Sequence, residues 1–173
     1  MQPPSFLLYG ANGYSGELIA RYASRYNLHP ILAGRRKEAI EPLAEKYGLP
    51  YRVFDVDDKP SLLAALREVP VVLNAAGPFQ YTAKQLVDGC LETGTHYLDI
   101  NGDISIFEKI KSYDAAAKKK QVMLLPGVGF DVVPTDCLAL YLKKQLPDAI
   151  SLKLAFATLG GVISHGTATT MAE

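Results

Sequence analysis

The sequence predicts an α/β fold: a doubly wound, mostly parallel sheet with helices on both faces. Three observations predict it. Short runs of four or five mostly apolar residues alternate with amphipathic segments along residues 5–145. The runs are apolar at nearly every position, as strands covered on both faces are, and do not alternate apolar with polar. A glycine-rich turn separates the first run from the first amphipathic segment, where such sheets place a ligand.

The elements follow in order. Residues 5–9 (Ser-Phe-Leu-Leu-Tyr) read as the first strand. Residues 14–26 read as a helix, with Leu18, Ile19, Tyr22, Ala23 and Tyr26 on one face at helical spacing. Residues 29–33 are a second strand, and 37–47 a helix stopped by Gly48. Residues 51–54 are a third strand, followed by a short helix over 61–68 with Ser61 as N-cap. Residues 71–74 form the fourth strand, and 82–92 a helix ended near Gly94. Residues 96–99 form the fifth strand. A helix over 105–119 ends in Lys118, Lys119 and Lys120, whose charges suit the negative end of the helix dipole. Residues 122–125 are the sixth strand and 135–145 the next helix. After Pro147 the pattern changes. Residues 149–158 alternate apolar and polar as one longer strand, then Gly160-Gly161 and His165 precede a last helical turn. The division expected is a nucleotide-binding domain over 1–147 and the start of a truncated second, α+β substrate domain over 148–173.

Composition narrows the function classes. Of 173 residues, 49% are hydrophobic and 21% charged, so a packed core is expected rather than disorder. Eighteen basic and eighteen acidic residues cancel, which removes the electrostatic case for nucleic acid or an anionic membrane. No apolar run approaches the ~18 residues of a spanning helix. The N-terminus lacks the pattern of a signal peptide. Cys90 and Cys137 form neither metal spacing nor a disulfide framework. These features point to a cytoplasmic protein without metal.

The turn Gly10-Ala11-Asn12-Gly13-Tyr14-Ser15-Gly16 has the spacing G-x-x-G-x-x-G. Gly10 allows the sharp turn off the strand, Gly13 lets a phosphate approach the backbone, and Gly16 lets the helix pack close to the sheet. The helix N-terminus then favours a pyrophosphate. At the end of the second strand, where an NAD site usually offers an acid to the ribose, stand Gly34-Arg35-Arg36. Guanidinium there suits a 2′-phosphate, so NADP(H) is expected over NAD(H), with Arg35 ahead of Arg36 because it is nearer the strand. Asp55, after the third strand, is a candidate boundary of the adenine pocket. Ala75, Ala76, Gly77 and Pro78, after the fourth, would let ribose and nicotinamide lie against the backbone.

These blocks, with Gly94-Thr95-His96-Tyr97-Leu98-Asp99 and Gly129-Phe130-Asp131-Val132-Val133-Pro134-Thr135-Asp136, resemble the saccharopine dehydrogenase-like oxidoreductases, trans-acting enoyl reductases included. The five blocks agree in order and spacing and cover about residues 5–137. The resemblance implies an NADP-binding Rossmann domain, followed by a substrate domain that acts on a small molecule. The name does not carry lysine metabolism over to this chain.

The candidates for chemistry are His96 and Asp131. His96, Tyr97 and Asp99 are placed at the carboxyl end of the fifth strand, where His96 could donate a proton. The alternative is that this block fixes strand and loop geometry by hydrogen bonds. Asp131 follows the sixth strand and could face the nicotinamide, while Thr135 or Asp136 could cap the next helix. Phe130 is open between cofactor packing and core packing. Two reductase classes fit poorly. None of the ten tyrosines has a lysine four residues on, and neither cysteine sits in a nucleophile turn. The expected function is hydride transfer between NADP(H) and a C=N, C=O or C=C bond of a small substrate. The alternative is a non-catalytic NADP-binding redox sensor or partner-binding module. The apolar 149–158 segment offers an edge to a second copy of the chain.

Overall fold

The computed structural model describes residues 6–155. The six strands expected from the apolar runs are β1 (Leu7–Tyr9), β2 (Ile31–Gly34), β3 (Tyr51–Val53), β4 (Val71–Asn74), β5 (His96–Asp99) and β6 (Leu124–Leu125). They form one sheet in the order β3-β2-β1-β4-β5-β6, and every pairing is parallel. The order reverses between β1 and β4, so beyond their turns the chain continues into helices on opposite faces, which places a crevice at the carboxyl edge.

The period of two along each strand sends alternate side chains to opposite faces. On one face Leu8 and Leu32 pack against Ala20 of α1 (Tyr14–Ala23) and Ile40, Leu43 and Ala44 of α2 (Lys37–Tyr47). On the other, Leu7, Tyr9, Val72 and Tyr97 meet Leu62 and Leu66 of α3 (Lys59–Leu66) and Leu86, Val87 and Cys90 of α4 (Ala83–Thr93). Ile106 and Ile110 of α5 (Ile104–Lys111) complete that side. Each fully buried Leu or Val contributes about 1.5–3 kcal/mol relative to exposure. Gly48 and Gly94 end their helices in the left-handed region, at φ 63° and 80°, as the sequence predicts.

Four elements differ from expectation. The N-cap of α3 is Asp58, whose carboxylate accepts from the Ser61 N–H, so the helix starts before Ser61. The expected 105–119 helix is two, α5 and α6 (Asp114–Lys120). The Ser112 hydroxyl donates to the Lys109 carbonyl at 2.6 Å, and Tyr113, at φ −85° and ψ 1°, turns to pack against the core. Finally, residues 149–155 pair with no strand among the described residues, although their alternation predicts one. The remainder of that segment and His165 lie outside the described residues. α7 (Val133–Gln145) begins two residues before the predicted 135–145 helix, with Pro134 in its first turn.

Two of the core side chains are phenols. Burial, then the Asp55 carboxylate, pushes the Tyr9 pKa up from 10.0 to about 12. Burial, then Asp99, pushes Tyr97 up as well. In both cases the folded value exceeds the unfolded one, so the fold holds the neutral form. Stability from Tyr9 is therefore complete below the unfolded pKa and declines as pH rises through about 12. In an alkaline titration, tyrosinate absorbance of Tyr9 and Tyr97 should appear only together with loss of circular dichroism.

Candidate functional site

β1 ends at Tyr9 and the chain turns at once, with Gly10 at φ 84°. The Gly10 and Ala11 N–H groups both donate to the Ala33 carbonyl, at 2.8 and 3.1 Å, which pins the turn to β2. The Ala75 N–H donates to the Tyr9 carbonyl at 2.8 Å and pins the turn after β4 to it as well. A Cβ on Gly10 would lie 2.6 Å from the Ala76 nitrogen, so only glycine lets the two turns touch. A Cβ on Gly16 would lie 2.2 Å from the Gly10 carbonyl oxygen, so α1 can approach the turn only through glycine.

Gly13 is the N-cap of α1 and has no side chain to cap the first turn. The N–H groups of that turn therefore face the carboxyl edge of the sheet at the positive end of the helix dipole. Asn12 and Tyr14 are exposed and Ser15 is half-buried, so the turn offers polar atoms to the crevice. The Asn12 Oδ1 lies above Gly34, 3.1 Å from where its Cβ would be, and so reaches the end of β2.

Arg35 and Arg36 project beyond β2, and both are exposed. The Arg35 Nη1 is 3.9 Å from the Asp55 Oδ2. An exposed pair of that length is worth less than about 1 kcal/mol, so a phosphate can displace the carboxylate. The structure thus joins Arg35 and Asp55, which the sequence offered separately. On the far side of the turn lie Ala75, Ala76, Gly77 and Pro78, with a cis peptide between the last two. Gly turn, Arg35, Asp55 and the 75–78 turn share one edge of the sheet. They fit a dinucleotide: a cradle that a Cβ would fill, N–H groups for two phosphates, and guanidinium for a third.

His96 is placed differently from the sequence reading. It is the first residue of β5 and stands at the amino end, the opposite edge from the glycine turn. Its Nδ1 accepts from the Met123 N–H at 3.0 Å and its ring lines a groove with Phe107, Ile110 and Val122. The apolar run begins at His96, so the strand carries it away from the crevice. Asp131 is exposed and lies against Gly102, in the loop after β5, with 3.7 Å between its Cβ and the position of a Gly102 Cβ. It remains on the carboxyl side. Phe130 is 85% exposed and is not part of the core. Cys90 is wholly buried, which pushes its thiol pKa up and makes it unreactive.

Beneath the crevice is a polar network that the sequence reading did not assemble. Asn74, Tyr97, Asp99 and Asn101 are all buried. The Tyr97 hydroxyl donates to the Asp99 Oδ2 at 2.8 Å and accepts from the Asn74 Nδ2 at 3.3 Å. The Asp99 Oδ1 accepts from the Asn101 N–H, the Asn101 Nδ2 and the Gly127 N–H, at 3.1, 2.6 and 2.8 Å. The parallel register sets Asn74 beside Asp99, which brings the ends of β4 and β5 together. The signal was present in the sequence: Tyr97 and Asp99, two apart, share one face of the strand.

Comparison with known proteins agrees with this geometry. Residues 6–125 match the family described as the saccharopine dehydrogenase NADP binding domain. A saccharopine dehydrogenase-like oxidoreductase of Mus musculus is 26% identical over 91% of the chain and 42% of its own length. A trans-acting enoyl reductase of Mycobacterium leprae is 32% identical over 75% of the chain and 33% of its own length. The chain thus spans less than half of these relatives. Apo saccharopine dehydrogenase (L-Glu forming) from Saccharomyces cerevisiae shares the fold, with a TM-score of 0.71 at 17% identity over 83% of this chain and 31% of that one. The match covers the glycine turn, the arginine pair and the turn after β4 in one continuous stretch. The chain therefore belongs to the saccharopine dehydrogenase NADP binding domain family, whose cofactor is NADP(H).

Proposed function

We propose that this chain is the cofactor-binding part of an NADP(H)-dependent oxidoreductase that moves hydride to or from a C=N, C=O or C=C bond of a small substrate. The observation that carries the reading is the continuity of the site. Gly10, Gly13 and Gly16 open a backbone cradle, Arg35 stands beyond β2, and residues 75–78 border the same crevice. The bound nicotinamide supplies or takes up the hydride, and the protein supplies position and electrostatics.

The chain's residues divide that work. The first-turn N–H groups of α1, with Gly13 at the cap and Ser15 beside it, hold the pyrophosphate. Arg35, with Arg36 next to it, binds the 2′-phosphate, and Asn12 reaches the same end of the crevice. Asp55 borders the adenine pocket and balances Arg35 until phosphate arrives. Ala75, Ala76, Gly77 and Pro78 form the wall for ribose and nicotinamide. Asp131 is the described carboxylate we assign to proton transfer, because its loop leaves the carboxyl edge; His96 is not assigned a role. Residues 1–147 form the cofactor domain and 148–173 begin the substrate domain. We place the protein in the cytoplasm, where its two free thiols stay reduced. No helix among the described residues is long and apolar enough to cross a membrane. A fluorescent fusion confined to an organelle would refute the cytoplasmic assignment.

The test of the reading is a fluorescence titration with NADPH and NADH in parallel. NADPH should bind more tightly. Arg35→Ala should weaken NADPH by at least about tenfold, the value of one charge-assisted hydrogen bond, and leave NADH nearly unchanged. Equal binding of the two nucleotides, insensitive to Arg35→Ala, or no binding of either to the folded chain, would overturn it.

A further inference from the structure

We propose that Tyr97 is a positioning residue for the nicotinamide half of the cofactor, its hydroxyl locking the turn after β4 to the turn after β6. The proposal rests on the cofactor reading above and concerns a residue that does not line the crevice.

The hydroxyl has a fixed direction. The Asn74 Oδ1 accepts from the Ala76 N–H at 3.0 Å, so the Asn74 amide nitrogen is the atom turned toward Tyr97 and Thr82. An amide nitrogen only donates and a carboxylate oxygen only accepts. The Tyr97 proton therefore points to Asp99, and its lone pair to Asn74. A phenylalanine would fill the same apolar volume. The hydroxyl adds a link between two loops that no backbone ladder joins.

Each end of that link is a wall of the crevice. On one side, Asn74 and Thr82 hold both polar backbone atoms of Ala76: the Asn74 Oδ1 accepts its N–H, and its carbonyl accepts from the Thr82 hydroxyl at 2.9 Å. Ala76 is the residue in close approach to Gly10. On the other side, the Asp99 carboxylate holds the Gly127 N–H and its main-chain carbonyl holds the Val128 N–H at 2.7 Å. That loop leads directly to Phe130 and Asp131. Tyr97, Asn74 and Asp99 are buried, so no bulk solvent competes for these bonds. The adenosine half, by contrast, is bordered by Asn12, Arg35 and Asp55, none of which the network touches.

The division of the site gives the experiment. The full chain and its Tyr97→Phe variant are titrated by calorimetry with NADPH and with 2′,5′-ADP, which keeps the 2′-phosphate and adenine but lacks nicotinamide. Tyr97→Phe should weaken NADPH by about tenfold and change 2′,5′-ADP by less than about twofold. Equal weakening of both ligands would mark a merely structural role and overturn the proposal, as would no weakening of either. Failure of 2′,5′-ADP to bind the unmodified chain would remove the cofactor reading itself, and the proposal with it. Hydrogen exchange on the unmodified chain gives a second readout that needs no variant. NADPH should slow exchange in peptides spanning 74–82 and 124–132, and 2′,5′-ADP should not. Slowing by both ligands, or by neither, would also overturn it.

Discussion

Gly16→Ala should lower the melting temperature by about 6 °C and abolish NADPH binding. The added methyl would stand 2.2 Å from the Gly10 oxygen, 2.8 Å from the Ala11 Cα and 2.9 Å from the Ala11 carbonyl carbon. All three are backbone atoms, and the turn that carries them is tied to Ala33 by two hydrogen bonds. Nothing flexible can move aside, so α1 must lift from the sheet. Alanine in a helix interior is better than glycine by about 1 kcal/mol, but overpacking of this kind costs about 3 kcal/mol. The clash wins, and in a domain of this size each kcal/mol shifts the melting temperature by about 2–4 °C. Gly89→Ala is the control. It too lies in a helix, but its methyl meets the end of the Leu66 side chain at 2.7 Å, which can rotate. A scan in which Gly16→Ala melts no lower than Gly89→Ala would refute the argument.

Asp99→Ala should destabilise by about 4 kcal/mol, since each buried donor left without a partner costs about 1–3 kcal/mol. The donors are the Tyr97 hydroxyl, the Gly127 N–H and the two Asn101 groups. Asp99→Asn should cost less than half as much. Its oxygen can take the place of Oδ1, where three donors converge, and only the Tyr97 proton is left opposed. Urea denaturation of the two variants measures the difference. Equal loss in both would mean that the charge, and not the hydrogen bonds, holds the loops.

The strands were legible because burial on both sides leaves them little choice of residue. Val71–Asn74 and His96–Asp99 match the apolar runs residue for residue. Helix ends were legible where glycine takes the left-handed region, at Gly48 and Gly94. They were obscure where a side chain decides. Ser112 ends α5 through a bond to its own preceding turn, and Asp58 caps α3 three residues ahead of the serine that the pattern favours. The glycine turn was legible because its spacing is set by backbone contact. The polar network was not, because Asn74 and Tyr97 meet only through the pairing of β4 with β5. His96 was misplaced for the opposite reason: its block was read as one unit, although a four-residue strand has two ends some 10 Å apart.

The reversal of strand order between β1 and β4 also governs how the molecule assembles. β1 to β3 and β4 to β6 are each local successions of strand and helix, and the β1–β4 ladder is the strand pairing that sews the halves together. That ladder closes a long loop, which makes it an entropically slow step. The glycine turn belongs to one half and Ala76 to the other, so neither half alone contains the cradle. A ligand of the cradle therefore recognises the sewn chain and no earlier species, and each increment of its concentration raises stability by mass action alone. The free concentration of that nucleotide then sets what fraction of chains keeps the seam shut.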